Sequence, residues 1–436
     1  MSNQRRGVLV WSPISLVLLA SMVGWLPPTA AAATTSCHGH PATIEATAGS
    51  DTITGTASKD VIVARQGTDT IDGRGGDDWI CGGPGRDTIA GNAGNDHVYG
   101  QNGGDTVIEG SGNDHDSGGK HGLYGDALTY EFVDEPLTMR MATNSATAGA
   151  DRDEVSGFDS YRGTSGNDRF IGSAGRDRFL GGPGNDDISG YLGQDYLEGD
   201  AGDDTVAGGR GDDHVEGGGG FDRLTDMRGD NEVFDLSLSE TAGGAVIATG
   251  PGDDDVYAEA ADREADYTVT SGDGADDVHV YGTSSDVRLG TGSGNDLVQV
   301  DDGAASLRVR TQQGNDTLEL LPDAGQHASG GAGEDLVRFP LDYPDITVRL
   351  GAHGHLSAPV DMSLPAFEDA WSGYGDDTII GSGDRNVIFS GDGNDDLSGL
   401  GGNDRLNASY DSNDVARGGA GRDRCLNAET TFSCAS

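Results

Sequence analysis

Basic residues, long apolar runs and catalytic signatures are all scarce in this 436-residue chain, and each scarcity excludes something. Lysine and arginine number 27 against 74 aspartates and glutamates, a formal charge of −47, and so acidic a surface argues against nucleic acid as a partner. Hydrophobic residues make up only 34%. Low hydrophobicity with high net charge is by itself a signature of disorder. Beyond Leu26 no segment is apolar enough to span a membrane. There is no H-E-x-x-H zinc-protease helix, and no serine has glycines two residues before and two after it, so the nucleophile elbow is missing. No non-repeat segment exceeds about 50 residues, short for an independent catalytic domain.

What the chain has in abundance is glycine, 74 residues, and an aspartate at every ninth position. Asp51, Asp60, Asp69, Asp78, Asp87, Asp96, Asp105 and Asp114 keep the interval, which restarts at Asp168, Asp177, Asp186, Asp195, Asp204, Asp213 and Asp222. Two positions after each comes an apolar residue, from Ile53 to Val107 and from Phe170 to Leu224, with Asp116 the one failure. Glycine precedes each second-block aspartate by two positions, and another glycine stands three before that, from Gly163 to Gly217. So short a fixed period predicts a solenoid, whose units bury their apolar residues only against neighbouring units. Disorder would not require an apolar residue at every ninth position. The disordered reading is expected to hold only without cations.

Two nine-residue units make one coil of 18, so aspartates 18 apart stack along one edge at about 4.8 Å. Bare carboxylates at that distance repel by roughly 0.9 kcal/mol even at the dielectric of water. A hard cation such as calcium takes six to eight oxygens from carboxylates and carbonyls, and a glycine-rich turn ending in aspartate offers both. The unit resembles the repeats-in-toxin (RTX) nonapeptide G-G-x-G-x-D-x-U-x, most fully at Gly82-Gly83-Pro84-Gly85-Arg86-Asp87-Thr88-Ile89-Ala90. The resemblance covers about half of the chain after its export signal. It implies an all-β fold, a parallel β-roll or β-helix solenoid with several calcium-binding repeat blocks. The ligands it implies are Asp69, Asp78, Asp87, Asp96, Asp105, Asp114, Asp168, Asp177, Asp186, Asp195, Asp204, Asp213, Asp222, Asp377, Asp395, Asp404 and Asp423. Loop carbonyls join them at Gly83, Gly85, Gly94, Gly166, Gly175, Gly182, Gly184, Gly193, Gly202, Gly211, Gly220 and Gly393. With one ion between each pair of same-edge turns, about fourteen calcium ions are the upper expectation. The earliest repeats are looser: Gly55-Thr56-Ala57-Ser58 lacks the inner glycine, so the first turns are expected to bind weakly or to act as a cap.

Residues 1–33 have the layout of a secretory signal. Arg5 and Arg6 precede an apolar stretch from Val8 to Leu26, then Pro27-Pro28 and Ala30 to Ala33, with cleavage expected after Ala31, Ala32 or Ala33; an uncleaved anchor is the alternative. In an exported protein the four cysteines suggest disulfides. Proximity in sequence favours Cys37–Cys81 and Cys425–Cys434, each closing one end, although three connectivities exist and Cys425 also occupies an apolar slot that a buried thiol would fill.

The expected organisation is a signal over 1–33, a cap over 34–46, a first repeat block over 47–118, a spacer over 119–162 and a second block over 163–225. Degenerate coils follow over 226–334, a second spacer over 335–371, a third block over 372–425 and a final cap over 426–436. The spacers are duplicates: Asp126-Ala127-Leu128 and Leu137-Thr138-Met139-Arg140 recur 209 residues on as Asp335-Leu336-Val337 and Ile346-Thr347-Val348-Arg349, and are expected to form wider coils with an excursion loop. In the degenerate coils Asp254, Asp276, Asp296, Asp316 and Asp335 recur about once per coil, as if one edge kept its turns and the other had been replaced. In the third block Asn386 and Asn413 replace the aspartate, giving weaker sites.

The function expected is that of a secreted or cell-surface calcium-binding protein, non-enzymatic, folding on calcium outside the cell, with a structural, adhesive or matrix role. Its partners would be calcium and a surface or matrix polysaccharide or protein, with no nucleic acid and no membrane span once the signal is removed; the oligomeric state is open. The alternative is a β-helix lyase or epimerase acting on polysaccharide through surface clusters such as Asp253-Asp254-Asp255 or Asp151-Arg152-Asp153-Glu154, which read more simply as solvated acidic loops. His38 with His40, and His353 with His355, lack further ligands and read as surface histidines.

Overall fold

The computed structural model describes residues 35–121, 125–225, 228–237, 244–260, 265–281, 286–301, 306–321, 326–358, 361–409 and 413–434. The expected export signal lies outside them. Among the described residues there is no α-helix; short parallel strands stack into a solenoid of about 19 turns. Each coil contributes one strand to each of two parallel sheets. In sheet 1, Thr52–Thr54 pairs with Thr70–Asp72 and that with Thr88–Ala90, in register Ile53↔Ile71↔Ile89. In sheet 2, Val61–Val63 pairs with Trp79–Gly85 and that with His97–Gly103, in register Ile62↔Ile80↔Val98. Register follows from the period: a slip of one residue would turn every inward side chain to solvent.

The inward columns form one continuous core from Ile53 to Ala416. Coils of the repeat blocks give it one side chain per strand, such as Phe170, Phe179, Ile188 and Leu197. Coils after Gly244 give it two per strand: Tyr267 with Val269, Val278 with Val280, Val287 with Leu289, Leu318 with Leu320.

The duplicated spacers are built alike, but not as excursion loops. Leu137–Arg140, Ser145–Ala148 and Asp151–Ser156 fold into an antiparallel triplet within sheet 2, whose last strand pairs in parallel with His115–His121 and whose first pairs in parallel with Arg169–Ile171. Thr347–Arg349, His355–Ala358 and Met362–Ser363 repeat this topology between His327–Ser329 and Thr378–Ile380. The chain reverses twice inside the sheet, so the extra residues are absorbed as strand pairs whose backbone groups are satisfied by the ladder.

Both ends carry a disulfide, Cys37–Cys81 and Cys425–Cys434. The first ties the antiparallel pair Ser36–Cys37 and His40–Pro41 to the second sheet, where Cys37 and Cys81 pack with Val61 and Val63.

Candidate metal centres

Each motif aspartate closes its loop just before a strand, and its carboxylate reaches back along the solenoid. Oδ1 accepts the backbone N–H of the matching aspartate one coil earlier: Asp69 N–H to Asp87 at 2.9 Å, Asp87 to Asp105 at 2.9 Å, Asp168 to Asp186 and Asp186 to Asp204 at 2.7 Å. Two columns result, one per edge. The edge before sheet 1 continues through the degenerate coils, where Asp254, Asp276, Asp296 and Asp316 each donate to the next carboxylate at 3.0–3.1 Å. The other edge carries Asp168, Asp186, Asp204 and Asp222, and the motif resumes there at Asp377.

The second oxygen is different. Oδ2 of Asp69, Asp78, Asp87, Asp96, Asp105, Asp186, Asp195, Asp204, Asp254, Asp276, Asp296, Asp316, Asp335, Asp377, Asp395, Asp404 and Asp423 is buried with no hydrogen-bond partner. The residue four positions earlier separates most of these from the rest. Where it has positive φ, as at Arg65, Arg74, Gly83, Asn92, Gln101, Gly182, Tyr191, Asp200 and Leu400, no N–H reaches that oxygen. Where it is serine or threonine in ordinary backbone, the turn folds onto the carboxylate. Thr56 N–H lies 2.7 Å from Asp60 Oδ2, Thr164 N–H 2.6 Å from Asp168 Oδ2 and Ser173 N–H 2.6 Å from Asp177 Oδ2, with the hydroxyl adding a second bond in each.

Glycine makes room for the orphaned-oxygen geometry. A Cβ on Gly82 would stand 2.7 Å from Asp87 Oδ2 and 3.0 Å from the carbonyl of Gly100 in the next coil; on Gly199 it would meet the carbonyl of Gly217 at 2.5 Å. Nearer the loop tip, the carbonyl of Gly67 lies over Gly85, beside Asp87 Oδ1, leaving no space for a side chain. Carboxylate and carbonyl oxygens from successive coils therefore crowd together with little hydrogen to share. Among the described residues no three His, Cys, Asp or Glu side chains are placed to hold a metal ion by themselves, so a cation here takes most of its oxygens from backbone, which suits a hard ion. Burial pushes the carboxyls of Asp78, Asp87, Asp195, Asp395 and Asp404 up to about 6 and those of Asp105, Asp186, Asp204, Asp276 and Asp335 up to about 7, against partial relief from N–H donors.

A family model described as the RTX calcium-binding nonapeptide repeat matches residues 45–80, 81–116, 155–188, 162–197, 189–224 and 371–406. The chain carries RTX calcium-binding repeats. The fold is the β-roll that such repeats build, and calcium is the ion they bind. A search of curated proteins finds no match to the chain.

Within the RTX blocks, several expected sites differ from the rest. Asp168 and Asp177 are satisfied by their own turns, and the associated Gly166 and Gly175 lack the positive φ found at Gly184, Gly193, Gly202, Gly211 and Gly220. Asp114 accepts Asp96 N–H at 2.7 Å, and its carboxyl is pushed up to about 8 by burial in an acidic surround. Asn386 does occupy a motif slot, accepting Ser382 N–H at 2.7 Å. Asn413 does not: Asp414 takes that slot, accepting Asp395 N–H at 2.9 Å, because one extra residue in the coil moves the register. A fixed interval also misses positions where the coil is longer or shorter than 18 residues. Asp159 accepts Asp126 N–H at 2.8 Å, Glu368 accepts Asp335 N–H at 3.1 Å and Glu429 accepts Asp414 N–H at 2.7 Å. The five aspartates of the degenerate coils were visible as a motif but were not placed among the expected ligands.

Asp116, the exception to the apolar rule, points inward between Val98 and Val155. It touches Glu109, also buried, beside Asp153, whose Oδ2 accepts the Tyr130 hydroxyl at 3.0 Å. Burial raises the pKa of both Glu109 and Asp116, and each carboxyl raises the other's cost of ionising or is held by it, so the two titrate together. A similar contact joins Asp222 and Asp235 beside Tyr267.

Proposed function

We propose that the chain is an exported, non-catalytic scaffold whose solenoid forms at neutral pH only when calcium fills its edges. The observation that carries this is the pair of columns of buried, unpartnered aspartate oxygens. An ionised carboxylate left unpaired in such a place costs several kcal/mol, and a repeated cost of that kind is tolerable only if each rung receives a cation. The ligands would be the aspartates with an orphaned Oδ2 and the neighbouring loop carbonyls; Asp60, Asp168 and Asp177 would serve as starting turns without an ion. At an extracellular-type affinity of about 10⁻⁴ M and millimolar calcium, each site contributes about 1.4 kcal/mol, and about fourteen sites exceed the usual stability of a whole domain.

The low-calcium cytosol would then hold the chain unfolded for export, and the outside would fold it. The interior carboxylates are satisfied or poised within the stack instead of lining an open cleft, which favours a structural, adhesive or matrix role over polysaccharide cleavage. Far-UV circular dichroism of the signal-free protein, titrated from chelator to millimolar calcium with magnesium as control, tests the reading. A cooperative gain of β signal with calcium alone is expected, tracked by the fluorescence of Trp79, which stacks on His97 at 4.1 Å beside Asp78. A complete β spectrum in chelator at neutral pH would overturn it.

A further inference from the structure

The two sheets present opposite outer faces over the same coils. On sheet 1 the outward columns include Glu198, Glu216, Glu232, Asp255, Asp277 and Glu319. On sheet 2 the column at the strand starts reads Phe221, Gly244, Asp266, Asp286, Ser306; of the next two outward columns one reads Thr205, Arg223, Val246, Thr268, Arg288, Arg308, His327 and the other reads Ala207, Thr225, Ala248, Thr270, Gly290, Arg310, Ser329. Neither contains a carboxylate over seven successive rungs, in a chain with 74 acidic residues. A groove of about 790 Å³ opens on this face, with Arg288, Arg308, Arg310, Gln312 and His327 around Gly290. Gly290 leaves its floor bare: a Cβ there would meet nothing nearer than 4.0 Å. Arg288 is paired with Asp286, whereas Arg308 and Arg310 are exposed and have no ion pair or hydrogen-bond partner among the described residues. Two neighbouring guanidinium groups without a carboxylate partner give this stretch of an acidic molecule a local positive charge.

We infer that this groove binds a carboxylate-bearing polysaccharide, a polyuronate running along the solenoid axis. Arginines on adjacent rungs stand about 4.8 Å apart, of the same order as the spacing of carboxylates along a chain with one per sugar. Guanidinium engages carboxylate through two parallel hydrogen bonds. Thr268, Thr270 and Gln312 supply the neutral donors and acceptors that sugar hydroxyls need. A nucleic acid, with its denser charge, would meet repulsion from the acidic edges on either side, and the groove itself is lined by no exposed large apolar side chain to enter a membrane. The inference deepens the scaffold reading by naming what the scaffold would hold.

The test is equilibrium binding of a short galacturonate oligosaccharide to the calcium-folded, signal-free protein, with a neutral galactose oligosaccharide and a single-stranded oligonucleotide alongside. Saturable binding to the galacturonate alone is expected. Arg308→Glu with Arg310→Glu should weaken it roughly tenfold or more without altering the circular dichroism spectrum. Arg178→Glu with Arg405→Glu, which removes the same charge from sheet 1, should leave affinity within a factor of about two. Absence of binding, equal binding to the oligonucleotide, equal loss in both double variants, or undiminished binding by the groove variant (which would mean calcium bridges to the acidic edges) would each overturn the inference. The same spectra decide the scaffold reading separately: a fold independent of calcium would sink that reading while leaving the groove result intact.

Discussion

Between Gly163 and Thr225 the coil is 18 residues long, carries an aspartate on both edges and buries one apolar side chain per strand. Between Gly244 and Arg338 successive aspartates are 19 to 22 residues apart on one edge, and each long strand buries two. The first glycine of the loop also changes. Gly181, Gly190 and Gly199 give way to Thr249, Ser271, Thr291 and Thr311, all buried, and their hydroxyls form a column of their own: Thr249 donates to the Ser271 carbonyl at 2.7 Å, Ser271 to Thr291 at 3.3 Å, Thr291 to Thr311 at 3.2 Å. Two additional buried aliphatic side chains per coil contribute about 3–6 kcal/mol, against about 1.4 for a calcium site. One stretch of the solenoid leans on ions and the other on hydrocarbon, within one continuous backbone ladder.

Chelation should expose the difference most strongly. The five aspartates from Asp186 to Asp222 represent about 7 kcal/mol of calcium stabilisation concentrated in a thin core. Hydrogen exchange in a chelator series should show amides of residues 186–225 losing protection at a higher free-calcium level than those of 266–320. Simultaneous loss in both segments would mean that the stack melts as one unit and that the contrast in core has no energetic consequence.

A matched pair of cavities sharpens the same contrast. Leu197 and Leu289 are both buried, but Leu197 is half of its coil's apolar core, whereas Leu289 has Val287 on the same strand and Val298 and Val300 in the coil to collapse toward it. Leu197→Ala should cost near the upper end of the usual range, about 5 kcal/mol, and Leu289→Ala nearer 3. The readout is the calcium midpoint of folding for each variant; equal shifts would show that the neighbours do not relax.

Much of this was legible beforehand because a solenoid converts interval directly into contact. Ile53, Ile71 and Ile89 share a column because they are 18 apart, and the terminal disulfides join cysteines that flank the ends. Legibility failed where the interval broke. Nothing in spacing says that Leu137–Ser156 makes an antiparallel triplet, since the reversals depend on turns such as Asn144, at φ 50°, that belong to no repeat. The slot held by Glu368 comes 33 residues after Asp335, and only the returning strand reveals it. The division of carboxylates into satisfied and orphaned was half in view: Ser or Thr four residues earlier marks the satisfied ones, but the orphaned ones follow residues as varied as Arg65, Asn92, Tyr191 and Leu400, joined only by a positive φ that the sequence does not display.

That division yields an effect that changes sign with calcium. Asp204→Asn removes one charged ligand, so at millimolar calcium it should destabilise the protein by about 1.4 kcal/mol. In chelator the same substitution should stabilise it, because a neutral amide replaces a desolvated carboxylate. The pH dependence follows suit. Burial holds Asp186 and Asp204 at about 7 and Asp195 and Asp222 at about 6, against 3.8 for the ordinary carboxyl. The cation-free fold therefore binds protons that the unfolded chain has released; its stability is fully present below about pH 4 and is lost as pH rises through 6 to 7. Thermal melts in chelator should show Tm falling from pH 5 to pH 8, less steeply in Asp204→Asn. With calcium present, acidification through the same window should instead weaken ion binding and release calcium, measurable with an indicator dye.

The smallest effect isolates the hydroxyl column. Thr291→Val keeps the shape of the side chain and removes a buried donor, leaving the Thr311 carbonyl without that bond, at a cost of about 1 kcal/mol. This hydroxyl donates to a carbonyl in the next coil and also stands beside the Asp296 carboxyl; if the carbonyl is what it serves, the cost should be the same in calcium and at acid pH in chelator, where the fold persists. If the loss grew with calcium concentration, Thr291 would be acting on Asp296, one strand start away, and the serine and threonine substitutions would be a way of tuning calcium sites. If it stayed constant, they replace support from calcium by support from the backbone, coil by coil.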